Sequence, residues 1–139
     1  MSRARTHGFS LIEMLLVLVI IGVISAIAIP SYMGQRRRAR VIGDAIANAK
    51  VMSMMLEAQR ADNGIYGNVS TYTWTAGSAI GSAATLLPGF TPKGNSNMNY
   101  SLAIVSSGQG YTLTVTDPSL SGVTAYQTDQ TGAQLSRLQ

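Results

Sequence analysis

The most constraining feature of the sequence is a long apolar run between Gly8 and Pro30, which follows a short basic leader. From Met14 to Ile29, only Gly22 and Ser25 interrupt the apolar residues. A helix over residues 9–29 would be about 30 Å long, because each residue adds about 1.5 Å, and this length matches the hydrocarbon core of a bilayer. The run therefore predicts a membrane-spanning helix near the N-terminus.

Glu13 is the one residue that does not suit such a helix. An ionised side chain inside a membrane costs on the order of several kcal/mol unless another group pairs with it. A cut between Gly8 and Phe9 would create an α-ammonium group four residues before Glu13. The helix dipole disfavours an ammonium at this end and favours a carboxylate in the first turns. Glu13 could then neutralise the amine of its own chain or that of a neighbouring identical chain, and the second alternative would set the register of an assembly.

The run GFSLIE at residues 8–13, with its basic leader and apolar continuation, resembles the class III signal of type IV prepilins. It also resembles the signal of the related pseudopilins of type II secretion and DNA uptake. The resemblance covers about residues 1–35 and implies cleavage after Gly8 by a membrane prepilin peptidase, followed by N-methylation of Phe9. It further implies that Glu13 meets the amine of a neighbouring subunit during assembly. An ordinary secretory signal peptide is the weaker interpretation, because a glutamate near the start of the apolar run and the length of the run are unusual for one.

Gly22 and Pro30 are the two helix-weakening residues of the span. Glycine weakens a helix by about 1 kcal/mol relative to alanine, and proline cannot donate the hydrogen bond to the preceding turn. They are compatible with a slightly kinked membrane helix. The resemblance implies a second alternative, in which residues 22–30 unwind when the chain leaves lipid for a filament.

Beyond Pro30 a second helical pattern continues to Asn63-Gly64, with apolar residues at the spacing of one buried stripe. The stripe comprises Ile42, Ala45, Ile46, Ala49, Met52, Met55 and Leu56. Residues 65–97 have the composition of a loop, and two hairpins follow, with strands near residues 100–104, 111–115, 123–127 and 133–137. The predicted fold is α+β, in which a long N-terminal helix packs on a small antiparallel sheet of about four strands. The predicted divisions are a leader (1–8), a transmembrane helix (9–30), an amphipathic helix (31–64) and a head (65–139).

Four arginines, Arg36, Arg37, Arg38 and Arg40, follow the span closely. Counting basic residues near the span would place this side in the cytoplasm. The resemblance implies the reverse orientation, with the leader inside and the head outside. The cluster has three candidate partners: anionic lipid headgroups, acidic residues of neighbouring subunits, or DNA. We favour DNA least, because a cluster this close to the span would be buried inside a filament.

The composition offers little for catalysis. The chain of 139 residues contains no cysteine, and its single histidine, His7, lies in the leader. A mature chain would therefore have no His- or Cys-based nucleophile pair and no zinc site. Asp117 and Asp129 are weak candidates for calcium, which needs six to eight oxygen ligands, whereas such aspartates are also common in turns. We expect no enzymatic activity and no cofactor.

The resemblance implies a structural subunit of a type IV pilus that self-assembles through its hydrophobic helix after processing. The alternative is a minor pilin or pseudopilin that acts as a binding module in a DNA-uptake or type II secretion filament. The expected partners are identical subunits, the prepilin peptidase and N-methyltransferase, the inner-membrane assembly machinery and, before assembly, the membrane itself. We expect the chain in the bacterial inner membrane before assembly and in an extracellular pilus afterwards, with motility, adhesion, secretion and DNA uptake open as tasks.

Overall fold

The structure is a computed structural model that describes residues 8–94 and 97–138, so leader residues 1–7 lie outside it. The chain divides into two compact units, Met1–Arg38 and Ala39–Gln139, which are described separately below. The elements, in chain order, are α1 (Leu11–Asn63), β1 (Thr71–Thr75), β2 (Ser78–Ile80), α2 (Ala83–Leu86), β3 (Asn99–Val105), β4 (Gly110–Thr116), β5 (Thr124–Asp129) and β6 (Gln134–Arg137). Two short 3-10 turns, Ser106–Gly108 and Pro118–Leu120, flank β4.

The first unit consists of the apolar part of α1. The helix begins at Leu11, two residues after Phe9, and its large apolar side chains are exposed as far as Met33. Gly22 and Pro30 both lie inside α1, where the structure has helical backbone on either side of each. The sequence pattern predicts two helical segments that meet at Pro30, whereas the structure has one helix of 53 residues through it. An internal proline costs about 3 kcal/mol, and the helical backbone on both sides of Pro30 continues in spite of this local cost.

In the second unit the remainder of α1 covers the sheet with one buried stripe. Its buried apolar residues are Val41, Ala45, Ala49, Met52 and Leu56. Of the predicted stripe, Ile42, Ile46 and Met55 are only half-buried, because they lie at the margins of the face that contacts the sheet. One polar residue, Asn48, is also buried on this face at 3 % exposure.

Asn48 is buried because its amide binds the backbone of the loop that precedes β3. Its Nδ2 donates to the carbonyl of Lys93 over 2.9 Å, and its Oδ1 accepts from the Lys93 amide over 2.9 Å. Both ends of the buried amide are therefore satisfied, which removes the main cost of placing it in a core. The sequence pattern did not predict this residue, since a lone asparagine in an apolar stripe has no periodic signature.

The sheet has six strands in the order β2-β1-β3-β4-β5-β6, and all neighbouring strands are antiparallel. The two predicted hairpins are confirmed as β3–β4 and β5–β6. The predicted sheet of about four strands lacks the two strands of the β1–β2 hairpin. In β1, Tyr72 and Trp74 alternate with threonines and are buried. All three residues of β2 are exposed, so only its ladder bonds to β1 identify it as a strand.

One face of the sheet and the buried stripe of α1 enclose a single hydrophobic core that lies entirely within the second unit. Leu102 of β3 pairs with Leu113 of β4, and both are fully buried. The ring of Phe90 packs edge-on against Trp74 and Tyr100, with centroid separations of 6.0 and 5.3 Å. The loop between α2 and β3 is thus part of the core, because its aromatic ring fills space between the strands.

The end of α1 is attached to the turn of the β3–β4 hairpin through Tyr66. The Tyr66 amide donates to the Gly108 carbonyl over 2.9 Å, and its ring packs edge-on against Tyr111 at 4.8 Å. The Tyr66 hydroxyl donates to Glu57 over 2.7 Å and accepts from Arg60 over 3.0 Å. Gly108 has φ of +92°, and a Cβ there would lie 3.0 Å from the Gly67 carbonyl oxygen, so this turn requires glycine.

Candidate processing and assembly site

The bond between Gly8 and Phe9 lies in a short exposed segment before the first helix. Residues 8–10 are outside any helix or strand, and Phe9 is 81 % exposed. A Cβ added at Gly8 would meet none of the described residues within 4 Å, and Gly8 does not have the positive φ that favours glycine. The chain's own fold therefore places no demand for glycine at this position, and any such demand comes from a partner that handles the bond.

The start of α1 has the glutamate-to-backbone hydrogen bond of a capping box. The Ser10 amide donates to Oε2 of Glu13 over 2.8 Å, while the Ser10 carbonyl accepts from the amides of Glu13 and Met14 over 3.1 and 3.2 Å. A carboxylate in the first turn also interacts favourably with the positive end of the helix dipole. Glu13 therefore stabilises the start of the helix at Leu11, which leaves Gly8 and Phe9 outside it.

The sequence analysis placed Glu13 against an amine but missed its hydrogen bond to the Ser10 amide. The spacing Ser-x-x-Glu before an apolar run, which is a known start signal for helices, was present at residues 10–13. In the uncut chain the carboxylate is thus already satisfied within its own first turn. A cut after Gly8 would add the Phe9 ammonium next to this carboxylate as a second, charged donor.

The rest of the first unit is an apolar surface without internal contacts to bury it. Within the described residues, α1 is the one helix that is long and apolar enough to cross a membrane. Its apolar side chains from Leu11 to Ile29 are exposed on every side of the helix. A helix that is apolar all round is stable in lipid or among other apolar helices.

The four arginines after the span are all exposed on α1. Arg36, Arg37 and Arg38 belong to the first unit, and Arg40 belongs to the second unit, which begins at Ala39. Consecutive positions on a helix differ in direction by about 100°, so the first three point to three different sides of the helix.

The two candidate calcium ligands each take part in a separate turn. Asp117 is fully buried, and its Oδ1 accepts from the Ser119 amide over 2.7 Å at the start of the turn Pro118–Leu120. Asp129 ends β5, and its Oδ1 accepts from both the hydroxyl and the amide of Thr131 over 2.6 and 2.9 Å. The hydrogen bond from the Thr131 hydroxyl holds the pKa of Asp129 below its usual value. Among residues 8–94 and 97–138, no group of three or more His, Cys, Asp or Glu is placed to hold a metal ion.

Comparison with protein families agrees with the geometry at the N-terminus. Residues 3–29 match the family described as the prokaryotic N-terminal methylation motif. No curated protein and no solved structure matches the chain. The chain therefore carries the class III signal of type IV pilins and pseudopilins.

This signal implies processing by a prepilin peptidase and assembly into a filament. The remainder of the chain has the long helix and the antiparallel sheet described above. Signal and architecture together support a type IV pilin-like or pseudopilin subunit.

Proposed function

We propose that this chain is the structural subunit of a type IV pilus and that it has no enzymatic activity. A prepilin peptidase would cut after Gly8, an N-methyltransferase would methylate the new amine of Phe9, and the apolar part of α1 would then pack in the filament core. Before assembly the same helix would hold the subunit in the inner membrane, with residues 39–139 outside the cytoplasm.

The observation that carries this proposal is the arrangement of the first helical turn. The Gly8–Phe9 bond is exposed and outside the helix, and the carboxylate of Glu13 is held at the helix start by a 2.8 Å hydrogen bond. After a cut, the Phe9 ammonium and the Glu13 carboxylate would be available to each other or to those of neighbouring chains. In an apolar filament core an unpaired charge would be costly, which favours assembly in the register that pairs them.

The apolar surface of α1 supports the same proposal from a second direction. Soluble monomers rarely expose a contiguous apolar patch of more than a few hundred Å². Here most large apolar side chains of α1 between Leu11 and Ile27 are more than half exposed. Such a surface needs lipid before assembly and equivalent helices afterwards.

The test is the composition of filaments sheared from the surface of a producing cell. We expect this chain to be the dominant protein by mass spectrometry, to begin at Phe9 and to carry a methyl group on its N-terminal nitrogen. Filaments in which the chain is a trace component would instead assign it to the minor pilins. Its recovery only with a periplasmic secretion or DNA-uptake filament would assign it to the pseudopilins.

A further inference from the structure

The arginines at the end of the first unit are a feature that assembly through the apolar helix leaves unexplained. Arg36, Arg37 and Arg38 occupy three consecutive exposed positions of α1. Since consecutive positions differ by about 100°, the three guanidinium groups form a partial ring around the helix. A ring suits a ligand that surrounds the helix at one level, whereas a single protein or DNA partner contacts one face.

The level of this ring along the helix corresponds to the surface of a bilayer. Arg36 follows Ile29 by seven residues, which is about 10 Å along the axis at about 1.5 Å per residue. Side chains of a helix tilt toward its N-terminus, so these long arginines reach back toward the apolar span. Headgroups add roughly 5–8 Å to each side of the hydrocarbon core, and this layer is within reach of all three guanidiniums.

Tyr32 independently marks the same boundary. It lies between the apolar span and the arginines, and it is 66 % exposed. Tyrosine is enriched at membrane–water interfaces because its ring sits among the headgroups while its hydroxyl meets water. The order of apolar run, tyrosine and arginines along one helix is therefore the order of hydrocarbon, interface and headgroup phosphates.

The charge of the segment also calls for an anionic ligand. The sequence has no Asp or Glu between Glu13 and Asp44, so the charged residues at positions 14–43 are all basic. Basic residues normally accumulate on the cytoplasmic side of a span, and the orientation proposed above places these arginines on the opposite side. A phosphodiester is a good partner for arginine, because the guanidinium binds its oxygens in pairs.

We propose that Arg36, Arg37 and Arg38 bind the phosphate groups of anionic phospholipids in the outward-facing leaflet of the inner membrane before assembly. This inference rests on the proposed function in one respect, that α1 spans a bilayer with residues 39–139 outside. The ring would enrich anionic lipid around the stored subunit and set the depth of the helix. Entry into a filament would then require the arginines to leave these headgroups.

The experiment reconstitutes the full chain in nanodiscs of phosphatidylcholine with a minor fraction of phosphatidylglycerol. Electron spin resonance compares how strongly the protein immobilises spin-labelled phosphatidylglycerol and spin-labelled phosphatidylcholine. One arginine near an anionic surface strengthens association by about fivefold, so we expect a preference of at least about fivefold for the anionic lipid. The preference should fall as salt is added, because screening shortens the range of the charges.

Two variants test whether the ring is the source. R36Q/R37Q/R38Q should lose most of the preference, whereas K50Q/K93Q/R137Q, which removes the same number of positive charges from exposed positions in the second unit, should keep it. R36K/R37K/R38K retains the charge without the paired guanidinium bonds and should be intermediate. Equal preferences in the wild type and R36Q/R37Q/R38Q would overturn the proposal.

Two further measurements distinguish this proposal from a failure to insert into the membrane and from DNA binding. Protease protection of residues 11–29 in the same nanodiscs reports whether the helix spans; a chain that does not insert refutes the membrane state, and the lipid ring with it. A chain that inserts without a lipid preference refutes the ring alone. Fluorescence anisotropy with a labelled DNA duplex measures whether the chain binds DNA. DNA binding that depends on these arginines, without a lipid preference, would overturn the proposal in favour of DNA.

Discussion

Replacing Glu13 should separate assembly from folding. The residues of the hydrophobic core begin at Val41 and all belong to the second unit, and Glu13 is not one of them. The described partner of Glu13 is the Ser10 amide, 2.8 Å away at the first turn. Glu13→Leu should therefore fray the start of α1 while the sheet and its helix stay folded.

The size of the assembly defect follows from the charge that is left behind. Removing one member of a buried ion pair costs about 3–5 kcal/mol, because the other charge stays in an apolar surrounding without a partner. A cost of 1.4 kcal/mol corresponds to a factor of ten in an equilibrium constant. The unpaired Phe9 ammonium of the variant would therefore lower the affinity of a subunit for the filament by more than about a hundredfold. Residence in lipid should become easier, since leucine is less costly there than glutamate.

Glu13→Gln distinguishes the two roles of this side chain. The amide oxygen of glutamine can still accept the hydrogen bond from Ser10, but it carries no charge to pair with an ammonium group. If pairing decides assembly, the glutamine variant should fail nearly as fully as the leucine variant. If helix capping decides it, the glutamine variant should form filaments and the leucine variant should not.

The assay uses strains that produce only the variant subunit. Intact-mass measurement of membrane fractions reports cleavage after Gly8, and the amount of subunit in sheared filaments reports assembly. We expect both variants to be cleaved and to accumulate in the membrane, and Glu13→Asp, which keeps the charge with a shorter reach, to be intermediate. Filament numbers from Glu13→Leu that equal those of the wild type would refute the pairing argument.

Four further predictions follow from particular contacts. Gly8→Val should fold normally, since a Cβ at Gly8 would meet none of the described residues within 4 Å. It should nevertheless remain uncut, because the added bulk beside the scissile bond would obstruct the peptidase, and intact-mass measurement would show this. Gly108→Ala should lower the unfolding free energy of residues 39–139 by about 1–3 kcal/mol and by more than Gly122→Ala, because both have positive φ but only Gly108 is crowded; urea titration compares them. Amides of the β5–β6 hairpin should exchange faster than those of β3–β4, as all of β6 is exposed; equal protection would contradict this. The pKa of Asp129 is lowered in the folded state, so its stabilising effect is present above the unfolded pKa of about 3.9 and is lost as the pH falls through the folded value. Asp129→Asn should therefore remove this part of the loss of stability in acid, which chemical denaturation at several pH values measures.

The β5–β6 hairpin shows how this C-terminus is attached without a cysteine bridge. Tyr126 and Thr128 of β5 pair with Arg137 and Gln134 of β6, and the Thr128 hydroxyl donates to the Ala133 carbonyl over 2.9 Å. The Leu138 amide also donates to the Ala125 carbonyl over 3.2 Å. Ladder bonds and this side-chain bond therefore hold the last strand, because its own side chains are all exposed.

Local patterns in the sequence determined the N-terminal signal, the long apolar helix and the two C-terminal hairpins. Each of these depends on residues close together in the chain: a short motif, an unbroken apolar run, or alternation of apolar residues about a turn. The start of α1 was equally local, since Ser10 and Glu13 are three residues apart, and it could have been found from the capping pattern.

Only the tertiary structure decided which features depend on distant partners. Asn48 is buried because Lys93, which follows it by 45 residues, presents both a carbonyl and an amide to its side chain. The strand β2 exists because β1 offers it an edge, and its own exposed residues carry no alternating pattern. Gly108 must be glycine because Gly67 and Ile65 of another loop approach it closely. For Asn48 and Gly108 the cause is a contact with a segment far away in the chain, and for β2 it is backbone pairing with the strand just before it. Local periodicity of apolar residues contains no record of either.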